Sequence, residues 1–100
     1  MADTYVINSG VRRAKAAELA GRTTITAKVY DPSGPLVAVR DVPLAQLLSR
    51  KAILDLRSDV RELLRFRRLQ SLILAGVVLN PIEVQPGTLG TPLSAVQVLT

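Results

Sequence analysis

The stretch Pro43–Gly76, PLAQLLSRKAILDLRSDVRELLRFRRLQSLILAG, concentrates the charge and the long apolar side chains of this 100-residue chain. Its good helix formers predict a short helix at 43–50 and a long one at about 52–75, with Asp41 as a cap and Pro43 in the first turn. Ser58-Asp59 reads as a second helix start within it. Ile53, Leu56, Val60, Leu63, Leu64, Ile73 and Leu74 are assigned to one broad core stripe. Arg57, Arg61, Arg65 and Arg68 form a basic face, and Asp55, Asp59 and Glu62 an acidic one. Ile53, Leu56, Val60 and Leu63 step 3-4-3 as a heptad seam does, Arg67 breaks the seam, and Phe66, Leu69 and Ile73 resume it in a shifted register. Ile53, Leu56, Val60, Leu63, Phe66, Leu69 and Ile73 are therefore the expected oligomer interface. Arg57, Arg61, Arg65 and Arg68 are the expected charged contacts with a partner.

Upstream, residues 1–8 start as a short strand or arm. Ser9 is the expected N-cap of a helix running to Ala20, with Gly21 as its C′ residue. Arg12, Arg13 and Lys15 on this helix are expected to be solvated. From Arg22 to Asp31 the chain alternates, with Thr23, Ile25, Ala27 and Val29 on one side. Asp31-Pro32-Ser33-Gly34 suits a type I turn, and Leu36–Val42 the return strand, so a β-hairpin spans about 22–42. DPSGP lacks the glycine spacing of a phosphate loop. Downstream of Gly76, prolines forbid a long helix and leave short strands or an extended apolar arm. The expected fold class is α+β: one domain over 1–76 with its long central helix, followed by an arm over 77–100.

Composition bounds the chemistry. The chain has no Cys and no His, which removes thiolate chemistry, the commonest general base near neutral pH and the commonest metal ligand. No catalytic, cofactor or metal site is expected, and no enzyme activity. The formal charge is +5, and the excess sits in residues 43–70. Three aromatic residues, Tyr5, Tyr30 and Phe66, are too few and too scattered to stack bases. With 48% hydrophobic residues, the chain carries more apolar material than a small lone domain easily covers, which implies burial between copies. No secretory signal opens the chain and no apolar run is long enough to span a bilayer.

The segment SDVRELLRFRRLQSLILAGVVLNP (58–81) resembles helices of small tailed-phage virion proteins, such as head fibres and decoration proteins. That resemblance implies a non-enzymatic structural protein that forms a homo-oligomer and binds other virion or assembly proteins. It places the chain in the virion, or in the host cytoplasm during assembly. The alternative is a small basic nucleic-acid-binding or regulatory module that uses Arg57, Arg61, Arg65 and Arg68.

Overall fold

The alternating hairpin forms as expected and sits at one edge of the molecule. The computed structural model describes residues 3–100, so the first two residues of the expected N-terminal strand lie outside the described residues. The chain runs as β1 (Tyr5–Ser9), α1 (Val11–Leu19), β2 (Thr24–Tyr30) and β3 (Leu36–Pro43). It continues through β4 (Leu47–Ser49), β5 (Ile53–Asp55), α2 (Val60–Leu74), β6 (Ile82–Pro86), β7 (Thr91–Pro92) and β8 (Gln97–Leu99). Six strands make one mixed sheet in the order β3-β2-β6-β1-β4-β7, and β5 and β8 pair separately in parallel. Both helices lie on the sheet face that carries Ile7, Ala27, Val29, Ile82 and Val84. The other face presents Asn8, Lys28, Glu83 and Gln85, since adjacent residues of a strand alternate sides.

The fold class is α+β, but the expected layout changes in three places. First, the long central helix is shorter. Its N-cap is Asp59, whose carboxylate accepts the Arg61 N–H at 2.9 Å, and residues 53–55 are a strand. Ile53, Leu54 and Asp55 pair with Gln97, Val98 and Leu99, and this long-range ladder outweighs the helical propensity of a three-residue run. Second, the expected helix at 43–50 is a single 3₁₀ turn, Leu44–Gln46, leading into β4. Asp41 caps nothing there; it lies in β3 and accepts a hydrogen bond from Thr26 Oγ1 at 2.8 Å. Third, the C-terminal stretch is no arm. β6 lies between β1 and β2, antiparallel to the first and parallel to the second. Pro81 precedes this strand and Pro86 ends it, so neither ring interrupts its ladder. Ile82 and Val84 are fully buried, and each contributes about 1.5–3 kcal/mol by burial.

A short repeat accounts for two of these corners. Pro43-Leu44-Ala45-Gln46-Leu47 and Pro92-Leu93-Ser94-Ala95-Val96 share one conformation. Each proline is extended (ψ 131° and 138°), the next three residues make a 3₁₀ turn, and the fifth returns to extended backbone. The leucine after each proline and the fifth residue of each copy are buried. The two corners lie against each other.

α1 ends as expected. Gly21 has φ +82°, and the Gly21 and Arg22 N–H groups donate to the Glu18 and Ala17 carbonyls at 3.0 Å, a Schellman closure. Its start differs: the N-cap is Gly10, at φ 107°, rather than Ser9. Lys15, expected in solvent, is buried. Its ammonium donates to Glu18 Oε1 at 2.7 Å and to the Leu93 carbonyl at 3.0 Å. The stem fills the gap between α1 and the second corner while the head keeps its partners.

The buried face of α2 also differs from the expected stripe. Phe66 and Ile73 are buried, with Leu63 and Leu69 packed against the core. These positions are three, three and seven residues from Phe66, so they share its side of the helix. Val60, Leu64 and Leu74 of the expected stripe point outward.

Candidate functional site

Two surfaces stand out: a cleft between the helices and a free sheet edge. The cleft opens where α1 begins. Gly10 takes the left-handed turn that sends the chain from β1 into α1, which brings Arg12 and Arg13 opposite α2. There Arg65 and Arg68, three apart, share a helix face. The cleft has a volume of about 490 Å³, with Val11, Leu69 and Leu72 on its apolar side. Glu62 ties its walls together, 2.9 Å from Arg12 and 3.7 Å from Arg65. Arg13 donates to the main-chain carbonyls of Asn80 and Pro81 at 2.8 and 3.0 Å. Arg68 makes no ion pair among the described residues.

Only half of the expected basic face therefore meets in one place. Arg57 lies ahead of α2 and forks onto Asp55, with both nitrogens 3.0 Å from the carboxylate. Hydrogen bonds from the Arg57 side chain and backbone lower the Asp55 pKa to about 2. A lowered carboxylate pKa means that the pair is intact above the ordinary range and is lost only as pH falls through about 2. Arg61 leans on Asp59 at 3.5 Å. Arg12 and Arg13, read from the sequence as bland surface, are the residues that complete the cleft with Arg65 and Arg68. Nothing in the local sequence links them, because the contact between α1 and α2 spans about fifty residues.

The expected interface residues are divided as well. Leu56, Phe66 and Ile73 are buried in the chain's own core, and Leu63 and Leu69 pack on it. Ile53 and Val60 are exposed. The heptad seam is thus largely covered by the chain itself.

The second surface is β3. It ends the six-stranded sheet, so one side of its backbone has no partner strand among the described residues. Leu36, Val37 and Val39 are 50%, 65% and 55% exposed. Arg40 turns away from the edge: its guanidinium lies 5.3 Å over the Tyr5 ring and donates to the Tyr5 hydroxyl. The opposite edge is protected differently, since β7 is only two residues long and one of them is Pro92.

Among the described residues no group of three Asp or Glu side chains could hold a metal ion, and no helix is long and apolar enough to cross a membrane. No protein-family model, no curated protein and no solved structure matches the chain.

Proposed function

We propose that this protein is a non-enzymatic structural component that associates with itself within a larger assembly, and that β3 is the seam. The observation that carries the reading is the exposed apolar edge. Proteins usually guard such an edge with lysine, proline, a bulge or short length. Here the prolines stand only at the ends of the strand and the four residues Leu36–Val39 carry no charge, so the one guard present is a bulge that leaves Val37 between the pairs Val29–Ala38 and Tyr30–Leu36.

The edge is complementary to itself. A second β3 running antiparallel about a two-fold axis at Ala38 sets Val37 of one copy opposite Val39 of the other, twice. Arg40 then stands opposite Leu36, and no like charges meet. The two sheets become one, and each edge closes the other.

The assembly we favour is a tailed-phage particle, in which the chain would act as a decoration, head-fibre or connector protein beside other virion proteins. The resemblance of residues 58–81 supports that part of the proposal, and the absence of His and Cys supports a role without catalysis. The nucleic-acid reading has less support, because Arg57, Arg61 and Arg65 each face a carboxylate within 4 Å and no aromatic side chain lines the cleft.

Light scattering tests the seam. The wild-type chain is expected at twice its 10.8 kDa, and Val39→Lys at the single-chain mass with unchanged circular dichroism. Ser71→Lys, on the exposed side of α2, is expected to keep the doubled mass. A Val39→Lys protein that still associates would remove β3 from the account.

A further inference from the structure

We infer that the cleft between α1 and α2 binds a small phosphate-bearing ligand with an apolar body. Its size falls within the range of small-molecule sites, roughly 300–1,000 Å³. Four guanidinium groups line it against one carboxylate, Glu62. Like charges gathered around one cleft repel, and one carboxylate shared by Arg12 and Arg65 balances only part of that repulsion. Arg13 is held by two carbonyls, which orient its guanidinium without neutralising it. Arg68 keeps its full donor set. The arrangement therefore lacks an anion.

The chemistry of the wall selects the kind of anion. A guanidinium presents paired N–H donors in a plane, which matches phosphate oxygens two at a time. Arg65 and Arg68 come from one helix and Arg12 and Arg13 from another, so a phosphate between them would be held from two sides. Leu69 and Leu72 sit on α2 beside these arginines and Val11 on α1, and they offer a dry surface to the carbon portion of the ligand. A nucleic-acid strand fits less well. It needs a continuous basic track and stacking rings, whereas Arg57 and Arg61 lie outside the cleft and Phe66 is buried in the core.

This inference is independent of the β3 seam, since no residue of β3 lines the cleft. Calorimetric titration at low salt tests it with three probes: inorganic phosphate, hexyl phosphate and a single-stranded oligonucleotide. Saturable binding of one hexyl phosphate per chain is expected, tighter than inorganic phosphate. Arg68→Gln is expected to weaken it about tenfold or more, the loss of one charge-assisted pair. Glu62→Gln, which frees Arg12 and Arg65, is expected to tighten it, an effect that damage to the fold would not produce. Arg57→Gln and Val39→Lys are expected to bind as the wild type does. Absence of saturable phosphate binding would overturn the inference. So would equal losses in Arg57→Gln and Arg68→Gln, or an oligonucleotide that binds more tightly than hexyl phosphate with a steep salt dependence.

Discussion

Phe66→Ala is expected to lower the stability of this protein by about 3–5 kcal/mol, the usual cost of removing a buried aromatic ring. Phe66 is 2% exposed. It belongs to the same buried core as Leu54, Leu56 and Val96 and lines a hollow with Leu63, Val96 and Val98. Truncation removes the ring from this core and leaves a cavity in its place. A small domain has about 5–15 kcal/mol of net stability, so the variant is expected to be partly unfolded at room temperature. Leu64→Ala, two residues earlier on the same helix, is expected to change stability by less than about 0.5 kcal/mol, because its side chain already meets solvent. Urea denaturation of both variants checks the facing of α2. Equal losses, or a larger loss for Leu64→Ala, would mean that the helix is turned the other way.

Gly10→Ala is expected to cost nearly as much, by a different route. Gly10 has φ +107°, a region that side chains rarely enter, and strain of that kind costs about 1–3 kcal/mol. A Cβ there would also lie 2.5 Å from Ile82 Cγ2 and 2.8 Å from Ile82 Cβ. Ile82 is fully buried in the central strand, so it cannot swing aside, and overpacking adds about 1–3 kcal/mol. Together the loss is about 2–6 kcal/mol. Gly21 supplies the comparison. It also has a positive φ, +82°, but a Cβ there would meet nothing within 4 Å. Gly21→Ala is therefore expected to show the strain alone, about 1 kcal/mol. If thermal melts place the two variants together, the close approach of the β1–α1 corner to β6 is not the controlling contact.

These two positions also show where the sequence is legible. The hairpin is plain because its signal is local: alternation, a Pro-Gly turn, alternation again. The end of α1 at Gly21 is plain for the same reason. The start of α2 was available as well, since Ser58-Asp59 marks a helix start that the run of good helix formers before it obscures. What local pattern cannot supply is partner identity. Ile53-Leu54-Asp55 becomes a strand only because Gln97-Val98-Leu99 arrives beside it. Ile82–Pro86 becomes the central strand only because β1 and β2 leave a gap of one strand between them. Gly10 looks like part of a cap sequence until Ile82 is packed on it. The Pro-Leu-x-x corner repeats at Pro43 and Pro92, and that repeat was readable.

The candidate surfaces divide along the same line. Arg65 and Arg68 are visible on one helix from their spacing, whereas Arg12 and Arg13 join them only through the packing of α1 on α2. The apolar character of Leu36, Val37 and Val39 is visible too, but a lone sequence does not say that β3 ends the sheet. A strand of the same composition in the centre would be core. Position at the end of the sheet order leaves it exposed instead.

Cysteine cross-linking tests that central claim most directly, because the chain contains no cysteine of its own. In an antiparallel pair centred on Ala38 the two Ala38 Cα atoms would lie about 4.5–5.5 Å apart, within reach of a disulfide. Under mild oxidation Ala38→Cys is expected to run almost entirely as a covalent dimer, while Ser71→Cys on the exposed side of α2 stays a single chain. A covalent dimer through position 71, with position 38 unreacted, would contradict the account and move the interface to α2.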